Sequence, residues 1–319
     1  MDYVILFAGL ILLVFGGDWL VNSAVDIANR FKVSPLIIGM TIVAFGTSAP
    51  EFIVSLEASI TGHPEISLGN VIGSNIANIG FILGFTALVL PLALEKVTFT
   101  RDMPFLLIIS ILLFAIMRDN VVSRYEGIMF IALIVCHTLV CIKQTPKPAT
   151  EKIVEPKYKL WVAILILVSS VAALTVGSSL LIDGASALAR MWGISERVIS
   201  ITIVAFGTSI PELVTSVIAA SKNQADIAIG NIVGSNIFNI LFVLGTAAAI
   251  CPISNFLFTT FRTDLFWMVG FVILLLIGIF PLRRVILKKS YPDARYSSLG
   301  RIGGTILLGA YIVYVIQLF

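Results

Sequence analysis

Charge is scarce in this sequence. Of 319 residues only 12% are Asp, Glu, Lys or Arg, whereas 58% are hydrophobic. A soluble domain carries about 25% charged residues, so this balance excludes a water-soluble globular protein and leaves a polytopic membrane protein. Histidine and cysteine are rarer still, with two and three copies. Cys136, Cys141 and Cys251 form no Cys-x-x-Cys pair and sit among apolar residues. They read as small apolar filler rather than as metal or redox groups. His63 and His137 are far apart, and no ligand cluster is expected around them. No HExxH, Ser/His or paired-Asp constellation occurs, so neither enzyme activity nor a cofactor is expected. The start, MDYVILF, has no basic region ahead of its apolar run, so a cleavable signal peptide is not expected. The lipid bilayer is the expected partner, with no nucleic acid and no obligate protein partner.

What is abundant is apolar sequence in long runs. A spanning helix needs about 20 mostly apolar residues. Ten segments qualify: 3–28, 35–60, 67–91, 103–117, 125–142, 160–189, 197–221, 227–250, 264–282 and 300–319. The stretch 143–159, KQTPKPATEKIVEPKYK, is charged and Pro-rich and reads as a hydrophilic linker. The expected fold is therefore an all-α polytopic membrane protein of ten helices. It divides into an N-terminal five-helix unit (1–142), the linker (143–159) and a C-terminal five-helix unit (160–319).

The two units repeat each other. TIVAFGTSAPEFIVS at 41–55 returns as TIVAFGTSIPELVTS at 202–216, with eleven of fifteen positions identical. GNVIGSNIANI at 69–79 returns as GNIVGSNIFNI at 230–240, with eight of eleven identical and the same offset. Five is an odd number, so the second unit must enter the membrane from the opposite side, and the repeat is inverted. Most of the chain's 21 Lys and Arg fall in or beside the loops after the odd-numbered helices, including Arg283, Arg284, Lys288 and Lys289. Cytoplasmic loops carry the excess of Lys and Arg. Both termini are therefore expected outside and the linker in the cytoplasm of a cell (inner) membrane protein.

Both motifs put oxygen-bearing groups into lipid. A carboxylate at a helix centre costs about 2.5–3.5 kcal/mol on insertion scales, and this chain incurs that twice, at Glu51 and Glu212. Gly46, Thr47, Ser48 and Pro50, with Gly207, Thr208, Ser209 and Pro211, are poor helix-interior residues. They should break helices 2 and 7 and free carbonyls such as those of Ala44, Thr47, Ala205 and Thr208. Such carbonyls are tolerated only where they face protein, water or an ion. Asn70, Ser74 and Asn78 lie on one helix face, as do Asn231, Ser235 and Asn239. Gly69 and Gly73, with Gly230 and Gly234, permit close helix approach.

All these donors are hard oxygens, which disfavours zinc, copper and iron at this site and suits Ca²⁺ or Na⁺. Glu57 is expected near the outer mouth. Asp18, Asp26 and Asp183 are expected to make interfacial or interhelical hydrogen bonds. A site with alternate Ca²⁺ or Na⁺ occupancy inside an inverted repeat is the physical basis of an exchanger. A Ca²⁺/H⁺ exchanger, with Glu51 and Glu212 carrying protons, and a cation channel are the competing readings.

At AFGTSAPE with GNVIGSNIAN, and AFGTSIPE with GNIVGSNIFN, the chain resembles the cation/calcium exchanger superfamily, in particular its prokaryotic sodium/calcium antiporter branch. The resemblance implies that Glu51 and Glu212 are central ligands shared by Ca²⁺ and Na⁺, completed by the carbonyls of Thr47 and Thr208. It assigns the carbonyls of Ala44 and Ala205, and the hydroxyls of Ser48, Ser74, Ser209 and Ser235, to flanking Na⁺ sites. It places Asn78 and Asn239 between the halves, and it implies that helices 1 and 6 slide past the rest. Some members, including potassium-dependent exchangers, carry Asp at the position of Asn239. The Asn here argues against potassium co-transport.

Overall fold

The computed structural model describes residues 2–144, 155–193, 205–279 and 297–318. Most of the expected linker, the start of the seventh expected helix and the basic run Arg283, Arg284, Lys288 and Lys289 lie outside the described residues.

Helix boundaries follow local chemistry. Helix α1 runs Asp2–Phe31. Ser34 caps the next helix by accepting the Leu36 N–H at 3.2 Å, and Pro35 occupies its first turn, where a missing donor costs nothing. This helix, α2 (Pro35–Thr47), contains a π turn at Gly39–Val43, where the Thr41 hydroxyl donates back to the Ile37 carbonyl at 2.6 Å. The chain breaks at Ser48 and continues as α3 (Ala49–Ile60), bent by 49° from α2. Pro50 has no N–H for the carbonyl four residues back, and its ring crowds that carbonyl, so the helix kinks or breaks there.

Helices α4 (Pro64–Val89), α5 (Thr98–Asp119) and α6 (Arg124–Gln144) follow. A reciprocal box starts α6. The Glu126 carboxylate accepts the Ser123 N–H at 2.7 Å, and the Ser123 hydroxyl accepts the Glu126 N–H at 3.3 Å. The second half holds α7 (Leu160–Met191), the single turn Ala205–Gly207, α8 (Ile210–Ser221), α9 (Ala225–Ile250), α10 (Phe258–Ile279) and α11 (Arg301–Gln317). Among the described residues, seven helices are long and apolar enough to cross a membrane, or eight with the bent α2–α3 pair counted as one span. Helices α8 and α11 are shorter. One small departure from an all-α chain is β1 (Leu92–Leu94), paired antiparallel with β2 (Ser297–Leu299) between two helix ends.

The arrangement is layered from polar centre to apolar rim. The apolar stretches of α4 and α9 are 78% and 94% buried, against 22–33% for α5, α6, α7 and α10, so α4 and α9 form the centre. Rim side chains such as Phe7, Ile11, Trp161 and Leu165 are exposed, as a lipid-facing surface requires. Helix α1 lies along α7 with backbone-to-backbone contact. A Cβ on Gly9 would sit 2.7 Å from the Leu181 nitrogen, and one on Gly184 would sit 2.8 Å from that of Leu6.

Asp18 and Asp26 of α1 pair with chain beyond their own helix, at the ends of neighbouring helices. Asp26 accepts the backbone N–H groups of Lys157 and Tyr158, and Asp18 pairs with Lys222 at 2.6 Å. Asp183 and Glu57 are exposed. One expectation fails. His137 and Cys141, four apart on α6, share a face that meets Asp102 at the start of α5, and the three form a buried cluster. Sequence distance hid it, because Asp102 is brought in only by the packing of α5 against α6.

Candidate ion-binding site

The two breaks meet at the centre. Glu51 and Glu212 sit in the first turns of α3 and α8, each fully buried. Their surroundings cross between the halves. The Ser48 hydroxyl, from the first break, donates to Glu212 Oε1 at 2.9 Å. The Ser209 hydroxyl, from the second, donates to Glu51 Oε1 at 3.1 Å. Each carboxylate also accepts from the stripe of its own half: Ser74 on α4 to Glu51 Oε1 at 3.5 Å, and Ser235 on α9 to Glu212 Oε1 at 3.3 Å. Thr47 reaches the same stripe, donating to Asn231 Oδ1 at 2.9 Å, with its hydroxyl 3.4 Å from that of Ser235.

A supporting set holds the breaks in place. The Asn70 amide donates to the Glu51 carbonyl at 3.0 Å and to the Ser55 hydroxyl at 2.8 Å. In the second half the Asn231 amide donates to the Ser216 hydroxyl at 3.1 Å. Of the carbonyls expected at the breaks, that of Ala44 accepts the Ser48 N–H at 3.0 Å with one of its two lone pairs. The carbonyl that loses its helical donor to proline lies four residues before it, at Gly46 and Gly207. At Gly207 the Ser178 hydroxyl of α7 takes that place at 2.7 Å.

The asparagines between the halves behave unequally. Asn239 donates to Asn75 Oδ1 at 3.2 Å, and Asn75 donates to the Asn236 carbonyl at 3.3 Å. Both polar atoms of the Asn78 amide, and Asn239 Oδ1, are buried without a hydrogen-bond partner among the described residues. Asn78 and Asn239 each open a π turn, Asn78–Leu83 and Asn239–Leu244. Such turns alter which backbone groups are paired and recur at functional sites. Sequence reasoning missed Asn75 and Asn236, and Ser55 and Ser216, although each pair sits inside a repeated motif at the common offset. Their identity across the repeat was the available signal.

The glycine expectation holds for α9. A Cβ on Gly234 would lie 2.7 Å from the Met40 Cα, and one on Gly230 would lie 2.8 Å from the Leu36 carbonyl oxygen. Among the described residues, a Cβ on Gly69 would meet only the Phe261 ring, at 4.0 Å, and one on Gly73 nothing within 4 Å. The Thr208 hydroxyl is buried beside the second break without a partner among the described residues.

The electrostatics are unbalanced. Glu51 Oε2 and Glu212 Oε2 are buried with no hydrogen-bond partner, and neither carboxylate has a salt-bridge partner among the described residues. A buried carboxylate without a cation costs several kcal/mol. The donor set around the two groups is carboxylate and hydroxyl oxygen throughout, which is the chemistry of hard cations.

Comparison with known proteins agrees with this chemistry. The sodium/calcium exchanger protein family matches residues 1–143 and 162–319. The putative antiporter CaxA of Alkalimonas amylolytica is 37% identical over 326 residues, covering 99% of this chain and 98% of that protein. The sodium/calcium exchanger MaX1 of Methanosarcina acetivorans is 32% identical, over 80% of this chain and 84% of its own. A solved structure of the sodium-calcium exchanger NCX_Mj superposes with a TM-score of 0.82 at 30% identity, covering 100% of this chain and 98% of that one. On its fold, its sequence and its paired buried carboxylates, the chain belongs to the sodium/calcium exchanger protein family.

Proposed function

We propose that this chain is a secondary antiporter that exchanges Ca²⁺ for Na⁺ by alternating access at one site shared by Glu51 and Glu212. The observation that carries the reading is the crossed pair: each carboxylate takes a serine from the opposite half and keeps one buried oxygen without a hydrogen-bond partner. One divalent ion would balance both charges. Na⁺ ions could replace it on the same oxygens, with the Thr47 and Thr208 carbonyls completing the central site. The Ser48, Ser74, Ser209 and Ser235 hydroxyls and the Ala44 and Ala205 carbonyls would serve flanking Na⁺, with Asn78 and Asn239 between the halves. Because the ions compete for the same ligands, binding one from one side requires releasing the other. That competition supports an exchanger over a channel.

The architecture that fits this cycle is ten crossings in two inverted units, 1–142 and 160–319. The coincidence of element boundaries under one offset supports it: α3 and α8, α4 and α9, and both π turns after the second motif recur 161 residues apart. We place both termini outside the inner membrane and the linker in the cytoplasm. Helices α1 and α7 lie against each other across both units, and they are the pair whose sliding would expose the site to either side.

A second reading rests on one observation. With Asn at both 78 and 239, Glu51 and Glu212 are the two acids at the centre, and two protons could neutralise them in place of sodium. Reconstituted vesicles separate the readings. Vesicles loaded with Na⁺, K⁺ or protons are diluted into ⁴⁵Ca²⁺, and uptake is followed. The account expects uptake driven by outward Na⁺ and not by K⁺; uptake that follows the proton gradient and ignores Na⁺ would replace it with Ca²⁺/H⁺ exchange.

A further inference from the structure

We propose that Asp102, His137 and Cys141 form a second cation site, separate from the carboxylate pair and suited to a thiophilic divalent metal such as Zn²⁺. All three side chains are buried, and their ligand atoms lie within 4.8 Å of one another. The triangle is nearly equilateral. His137 Nε2 is 3.6 Å from Asp102 Oδ1, Cys141 Sγ is 3.6 Å from His137 Nε2, and Sγ is 3.8 Å from Oδ1. Tetrahedral zinc, with bonds of about 2.0–2.3 Å, separates neighbouring N, O and S ligands by about 3.3–3.6 Å. The side chains already stand within a few tenths of an ångström of that spacing.

The positions are held from several directions. His137 and Cys141 are four residues apart on α6, so both project from one face. Asp102 closes the π turn that begins α5. The Phe105 ring stacks on His137 at 4.2 Å and 12°, which fixes the imidazole plane. His137 and Cys141 also line a mostly apolar recess of about 310 Å³ between α2, α6 and α9, so the cluster is open on that side. Three protein ligands beside a recess match a zinc site with its fourth position open. Thiolate and imidazole select against Ca²⁺ and Na⁺, so transported ions would not fill it.

Arg101 is the resident competitor. Its Nε lies 2.6 Å from Asp102 Oδ1, the oxygen a metal would need, and its terminal nitrogen lies 3.1 Å from Oδ2. The incoming ion must displace the guanidinium from Oδ1, and Cys141 must release its proton to water on ligation.

The test uses full-length protein in detergent, stripped with chelator and titrated with Co²⁺. One Co²⁺ per chain should bind with a thiolate-to-metal charge-transfer band that Zn²⁺ abolishes and excess Ca²⁺ or Na⁺ does not. Cys141→Ser should remove the band, and His137→Gln should weaken binding by at least about tenfold. Cys136→Ser, on an exposed position of the same helix, should leave the band intact. Retained ⁴⁵Ca²⁺ uptake shows that the variants are folded. Absence of a thiolate band in the wild type, or a band that survives Cys141→Ser, overturns the proposal. Co²⁺ binding that shows no thiolate band, is lost in Glu51→Gln and is kept in Cys141→Ser would assign the metal to the transport site instead.

Discussion

At the scale of single residues, the account rests on the exchange of serines between halves. Ser48 serves Glu212, and Ser209 serves Glu51, at 2.9 and 3.1 Å. The two hydroxyls are equivalent by position, so Ser48→Ala and Ser209→Ala should weaken Na⁺ activation of exchange to a similar degree, by about 10–100-fold. Strongly unequal effects in the Na⁺ dependence of flux would show that the halves do not contribute symmetrically. Glu51, Glu212 and the serines were legible in the sequence because charge and hydroxyl in an apolar run carry a cost that demands an explanation. Asn75 and Asn236 were less so, because an amide in a stripe of amides has several equivalent readings. The buried trio Asp102, His137 and Cys141 was not legible at all, since only tertiary packing unites it.

At the scale of elements, the sequence located the break at Pro50 but not its angle of 49°. The break follows from one missing N–H; the angle depends on which neighbours the second segment packs against. The π turns also escaped, because no residue type enforces them. Close approach of α2 and α9 depends on glycine. At Gly234 an added Cβ would meet the Met40 backbone at 2.7 Å, whereas at Gly270 on α10 no described atom lies within 4 Å. Gly234→Val should therefore lower stability by about 1–3 kcal/mol through overpacking, and Gly270→Ala should change it little. Thermal unfolding in detergent reads both. The α1–α7 pair gives a second check. An ideal Cβ on Gly16 lies 3.2 Å from that of Ala173, near the 3.5–4.5 Å that a disulfide spans. If α1 and α7 slide as one body, Gly16→Cys with Ala173→Cys should cross-link on oxidation and still exchange. Loss of flux that reductant restores would mean that they move against each other.

At the scale of the whole molecule, composition set the class and the offset of 161 set the plan. The orientation was inferred from the distribution of Lys and Arg, several of them outside the described residues. It makes a direct prediction. Single cysteines placed in the linker at Thr145, and at the C-terminus, should label with an impermeant maleimide from opposite sides of the membrane. Labelling of both from one side would rule out ten crossings with an odd number in each half. The central claim is that two opposed carboxylates make one site, and ion binding to purified protein tests it most directly. Calorimetric titration should find one Ca²⁺ per chain at the central site, displaced by Na⁺, and either Glu51→Gln or Glu212→Gln alone should abolish it in a protein that remains folded. Calcium binding that persists in either single variant, with the affinity of the wild type, would contradict a shared site.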